Sequence, residues 1–150
     1  MTHELRDLYQ EMILEHNKKP RNFGKLEHPT HYADGFNPLC GDKLSVYLDM
    51  EGDTVRDVRF VGSGCAISQA SASLMTTTIK GKKIPEVLEI FEHFHHMLSK
   101  GIEGKVDTAG LGKLAVFAGV CEYPSRVKCA TLAWHTLKAG LEGSGKVTTE

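Results

Sequence analysis

Four cysteines stand in this chain, and three of them sit where a rigid element meets a turn. Cys40 lies in "FNPLCGDKL", just ahead of an alternating strand pattern. Cys65 closes "GSGC", whose two glycines open backbone conformations denied to other residues and let a bound group come close. Cys129 falls in the first turns of the last predicted helix, where unpaired N–H groups favour thiolate over thiol and lower the pKa. All three could be nucleophiles or metal ligands. Asp42 completes the set, because two residues in an extended chain return to one face and Cys40 and Asp42 can point at a common centre.

Three thiolates and a carboxylate make a tetrahedral donor set suited to zinc or to iron–sulfur chemistry. A structural zinc module pairs its ligands at C-x₂₋₄-C spacing, and this chain has no such pair. Ligands scattered singly, one of them an exchangeable carboxylate, suit a site that must open. On spacing alone two other readings stand beside this one: free cysteine often packs as a small hydrophobe, and an aspartate after glycine is a common turn residue.

The elements that must carry these residues follow from periodicity. Leu5, Leu8, Tyr9, Met12, Ile13 and His16 recur with helical spacing and predict an amphipathic first helix over residues 3–18, with core packing expected of Met12, Ile13 and Leu14. The following "KKPRNFGKLEHPTHYADGFNPLCGD" has no sustained period and reads as a long loop. Leu44, Val46, Leu48 and Met50 alternate with Lys43, Ser45, Tyr47 and Asp49 as a half-buried strand, "EGD" turns, and "TVRDVRFVG" pairs back as a hairpin. A helix rich in small residues begins near Ser68 and allows another backbone to approach closely. "IPEVLEIFEHFHHMLSK" is the next helix, with Pro85 in its first turn. "GIEGKVDTAGLG" breaks the pattern and "KLAVFAGVCEY" is a short apolar segment. Pro124 opens a final helix that Gly143 closes, and "SGKVTTE" is a tail expected to fray. The outline is one α+β domain over residues 1–150, a small antiparallel sheet with helices packed on it.

At 150 residues such a domain buries roughly 70% of the surface its unfolded chain exposes and needs no disulfide staples. Eighteen basic against nineteen acidic residues give a formal charge of -1, with no electrostatic footprint for nucleic acid and no polybasic membrane patch. The N-terminus lacks a signal-peptide core, and no apolar run approaches the ~20 residues that span a bilayer. The expectation is a cytoplasmic protein with reduced thiols, where a cysteine cluster means metal or catalysis.

"NPLCGD", "FVGSGCAISQASAS" and "SRVKCATLAWHTL", in this order, resemble the SufU branch of the IscU/NifU N-terminal-like family of iron–sulfur cluster assembly proteins. The resemblance runs from "LYQEMILEHNKKPRNFG" through the last helix. IscU-like scaffolds carry a histidine immediately before the third motif cysteine, whereas Lys128 stands here; "GIEGKVDTAGLGKLAVFAGVCEYPSR" looks like the insertion of the SufU branch. The resemblance implies a SufE/NifU-like fold with a three-stranded antiparallel sheet. It also implies that Cys40, Asp42, Cys65 and Cys129 bind zinc, and that Cys40 accepts persulfide sulfur from a pyridoxal-phosphate cysteine desulfurase of the SufS type. The sulfur would pass to a SufB-containing assembly complex, which makes the protein a zinc-dependent sulfurtransferase. Arg126 matches a basic position near the site, with a solvated helix-face charge as the other reading. The competing function is a scaffold that builds a [2Fe–2S] cluster, or holds iron, on the same cysteines. A structural zinc domain is a third, disfavoured by dispersed ligands, and a filled donor set leaves a hydrolytic zinc enzyme no water position.

Three features fall outside this scheme. Cys121 is expected to be a packed or solvent-edge thiol and not a resolving cysteine. His93 and His96, one helical turn apart, are expected on a solvated face. Trp134, Leu132, Leu137 and Leu141 are expected in the core.

Overall fold

Alternation of apolar and polar side chains makes the central hairpin of the computed structural model, which describes residues 3–38, 40–100, 110–143 and 146–148. In β2 (Asp42–Glu51), Leu44, Val46, Leu48 and Met50 are buried, and the residues between them face outward. β3 (Thr54–Ser63) runs antiparallel to it beyond a turn at Gly52, whose φ of 63° is easy only for glycine. A bulge between Asp49 and Met50 shifts the register, which is why the buried Val55 and Val58 are three residues apart.

The segment before β2 departs from the sequence-based expectation. Residues His31–Asn37 form β1, antiparallel to β2, inside the stretch read as a loop. Its inward positions are Ala33, Gly35 and Asn37, none a large apolar residue, so the period-two signal is missing although the burial alternates. These small residues admit α4 (Pro124–Glu142) against the strand: Gly140 packs on Ala33, and a Cβ at Gly35 would run into Thr136. β1, β2 and β3 are the expected three-stranded antiparallel sheet. Lys146–Thr148 adds a short β4, parallel to β1 at Asp34–Phe36, so part of the expected fraying tail is paired instead.

α1 (His3–Lys18) packs on α2 (Ala66–Ile79) through Tyr9, Met12, Ile13 and His16, while Leu14, expected in the core, is exposed, as are Leu5 and Leu8 of the same helix. α2 starts two residues earlier than expected and is buried nearly all round, with Ser71 Oγ donating to the Ala130 carbonyl of α4 at 2.5 Å. That is the close approach its small residues allow. α3 (Ile84–Lys100) contributes Phe91, Phe94, Met97 and Leu98 to the core. "KLAVFAGVCEY" belongs to a 3₁₀ segment, Gly112–Glu122, whose buried Leu114, Phe117 and Val120 recur every third residue, the period of that helix. Trp134 lies at the centre against Phe94 and Phe91, as expected. α4 begins at Pro124 and ends at Gly143, whose φ of 78° is the left-handed cap. Among the described residues no helix is long and apolar enough to cross a membrane.

Candidate metal and thiol site

Asp42 is fully buried at the first position of β2, and everything in the site is arranged around its carboxylate. Gly41 precedes it with φ 71°, so Cys40 is brought to Asp42 by a left-handed turn and not by strand alternation. The ligand atoms of Cys40, Asp42 and Cys129 all lie within 4.8 Å of one another. Cys129 Sγ–H points at Cys40 Sγ, 3.2 Å away.

Cys65 approaches from the junction of β3 and α2. It is the N-cap residue of α2, with extended backbone, and its own N–H donates to Asp42 Oδ1 at 2.9 Å. Its Sγ is 3.9 Å from Asp42 Oδ2, which places it beside the carboxylate but outside the mutually close group of three. Gly64 makes this approach possible: a Cβ there would be 2.9 Å from Asp42 Cγ. The carboxylate thus faces the N-terminal end of α2, where the helix dipole favours negative charge.

Cys129 lies beyond the first turn of α4 and is buried, so the expected lowering of its pKa does not occur. Burial pushes the thiol up, and the Cys40 and Asp42 hydrogen bonds and the negative charge of Cys65 and Asp42 push in the same direction. A thiol held this way among acids calls for a cation. Arg126 supplies part of one: its exposed guanidinium has its pKa raised, first by a hydrogen bond with Cys129, then by the charge of Cys65, Cys129 and Cys40. Asn37, the partner of Asp42 across the β1–β2 pair, is buried with Nδ2 3.7 Å from Cys129 Sγ. Nothing in the sequence reading singled it out, because its burial depends on β1.

The donor set fits a soft or borderline divalent metal. Two thiols and a buried carboxylate converge, a third thiol stands beside the carboxylate, and among the described residues the positive charge coupled to the thiols is that of an exposed arginine. The other candidates lie apart. Cys121 is buried and donates to the Ala118 carbonyl at 3.1 Å, a packed thiol as expected. His93 and His96 are exposed, and neither joins a group of potential ligands among the described residues. Their neighbour His95 instead meets His135 of α4, ring centroids 5.7 Å apart. Residues 101–109 of the presumed insertion lie outside the described residues.

The fold and the site point to one class, and comparison with known proteins agrees. Residues 8–141 match the family described as NifU-like N terminal domain, and the chain belongs to that family. It is 42% identical over 136 residues to the zinc-dependent sulfurtransferase SufU of Bacillus subtilis (strain 168), covering 89% of each chain. It is 36% identical over 143 residues to the iron–sulfur cluster assembly scaffold protein IscU of Streptococcus pyogenes serotype M1, covering 94% of this chain and 87% of that one. Among solved structures, an iron–sulfur cluster assembly scaffold protein for the SUF system from Fervidobacterium islandicum AW-1 superimposes with a TM-score of 0.81 at 37% identity, covering 94% of this chain and 99% of that one.

Proposed function

We propose that the protein is a sulfur carrier of iron–sulfur cluster biogenesis, with Cys40 as the acceptor. The observation that supports this most directly is the asymmetry of the site: Cys40 is half-buried on a glycine turn, whereas Asp42 and Cys129 are buried on a strand and a helix. One thiol can leave while the others stay.

Zinc would be held by Cys40, Asp42, Cys65 and Cys129, and when bound it keeps coordinated thiols deprotonated and shields them from oxidation. The protein's own groups carry the transfer. Released as a thiolate, Cys40 Sγ attacks the outer sulfur of the donor's persulfide; a new S–S bond forms at Cys40 and the donor leaves as its thiolate. Arg126, already coupled electrically to three of the thiols, stabilises the charge that Cys40 carries before and after the step. The donor in this reading is a SufS-type cysteine desulfurase, and the recipient is the SufB-containing assembly complex. The relative named a zinc-dependent sulfurtransferase and the lysine at position 128 both favour it.

Cys40→Ala is expected to leave a folded protein that no longer stimulates the desulfurase or acquires persulfide. Full stimulation by this variant overturns the assignment, and an unfolded variant points to a structural zinc domain. The second reading, a [2Fe–2S] scaffold on the same cysteines, has the IscU relative in its favour. Anaerobic purification distinguishes the two: stoichiometric zinc with little iron supports the carrier, and iron with matching acid-labile sulfide supports the scaffold.

A further inference from the structure

The two sulfurs at the heart of the site are in direct contact. Cys40 and Cys129 are separated by 3.2 Å, with a thiol hydrogen between them. Cys65 has no such partner: its sulfur faces the Asp42 carboxylate. Cys121 is buried against the Ala118 carbonyl. Cys40 and Cys129 are the thiols whose sulfurs are in direct contact among the described residues. They are also unequal in access, Cys40 half-buried beside left-handed Gly41 and Cys129 buried on α4. The accessible member meets an oxidant first, and the buried member waits behind it.

From this geometry we propose that Cys40 and Cys129 form a reversible intramolecular disulfide when the site is stripped of metal, with a peroxide as oxidant. The Cys40 thiolate attacks one peroxide oxygen; the O–O bond breaks, hydroxide leaves, and Cys40 becomes a sulfenic acid. The Cys129 sulfur then attacks Cys40 Sγ, the S–O bond breaks, and a second hydroxide leaves as the S–S bond forms. With the two thiol protons the hydroxides become water, so two thiols and one peroxide give one disulfide and two waters. The bond removes two metal donors at once and blocks Cys40 as an acceptor, and a thiol reductant restores both. It locks the exposed thiol at an oxidation state from which it can be recovered, short of sulfinic acid. The proposal does not depend on Cys40 accepting sulfur.

The test uses the full chain in two forms, stripped with a chelator and reloaded with zinc. Each is exposed to hydrogen peroxide, the remaining thiols are alkylated, and intact mass and peptide mapping are read. The stripped form is expected to lose two hydrogens, show a Cys40–Cys129 cross-linked peptide, keep Cys65 and Cys121 alkylatable, and revert with dithiothreitol. Zinc should slow the reaction at least tenfold. Cys129→Ser and Cys40→Ser should each lose the cross-link, and circular dichroism of both checks that they are folded. A cross-link through Cys65, oxygen adducts on Cys40 with Cys129 free, or the same cross-link distribution in urea-unfolded chain would each overturn the proposal. Loss of desulfurase stimulation in Cys40→Ala with no disulfide here leaves the sulfur-carrier reading standing and removes only this one.

Discussion

Gly64 carries a demand that no other residue type meets. Its φ is 153°, and a Cβ would sit 3.0 Å from Asp42 Cα as well as against the carboxylate. An alanine must push Asp42 away or twist the start of α2, and either movement breaks the bond from the Cys65 N–H to Asp42 Oδ1. Gly64→Ala is therefore expected to cost about 1–3 kcal/mol of stability from overpacking. It should also lower zinc affinity about tenfold to a hundredfold, because the carboxylate loses the hydrogen bond that orients it. Competition with a chromophoric chelator measures the affinity, and retention at the wild-type level would show that Asp42 does not need this support. Cys40, Asp42, Cys65 and Cys129 were legible in the sequence as candidates, with packed thiols and a turn aspartate standing beside the metal reading, and it is the fold that brings Cys40, Asp42 and Cys129 together. Two things were not readable. The burial that raises the Cys129 pKa comes from tertiary packing, and so does the position of Asn37 beside that thiol. A helix-end argument cannot see either.

At the level of elements, the strongly periodic segments were legible and β1 was not. The hairpin, α1 and α3 each bury one repeating stripe, and α4, buried almost all round from Cys129 to Gly140, announces itself by Pro124 and Gly143, whereas β1 buries Ala33, Gly35 and Asn37 and so shows no apolar alternation. Its stability comes from fitting α4 closely, which a sequence window cannot register. The same fit gives a test. A Cβ at Gly35 would overlap Thr136 Oγ1 and come within 3.2 Å of Leu132 Cδ1. Gly35→Ala should cost about 1–3 kcal/mol by overpacking, and pairing it with Thr136→Ala should recover part of that loss. Urea unfolding of the two single variants and the double variant gives the coupling. Strict additivity would mean that α4 moves away from the strand freely, and the β1–α4 contact would then not be what positions Cys129 opposite Asn37. Cys121 illustrates the opposite case, a residue whose buried, hydrogen-bonded placement needed nothing beyond the usual behaviour of free cysteine.

Across the whole molecule the site draws on the turn before β2, the start of β2, the junction into α2 and the second turn of α4, while α1 touches none of its ligands. α1 is instead fastened to the far side of α2. His16 is the buried residue of this helix, with Nδ1 2.7 Å from Ser73 Oγ, and the same oxygen accepts the Arg21 N–H at 2.8 Å. Burial, reinforced by the charge of Arg21 and Lys113 and opposed by Glu15, holds the His16 pKa below the ordinary 6.5. The sign follows from linkage: the unfolded chain takes up the proton at higher pH than the folded one, so the contribution is full above pH 6.5 and is lost as pH falls below it. His135, half-buried beside His95 and Lys138, has its pKa lowered first by burial and then by their charge, and adds a slope of the same sign. His16→Gln is expected to cost about 1 kcal/mol at neutral pH through the lost hydrogen bond. It should also flatten the fall of the thermal midpoint below pH 6.5, leaving the part due to His135. The comparison is read on chelator-stripped protein, so that acid release of metal does not enter the difference. A wild-type slope in His16→Gln would mean that α1 is held by Tyr9, Met12 and Ile13 alone, and that acid loosens the molecule somewhere other than at this latch.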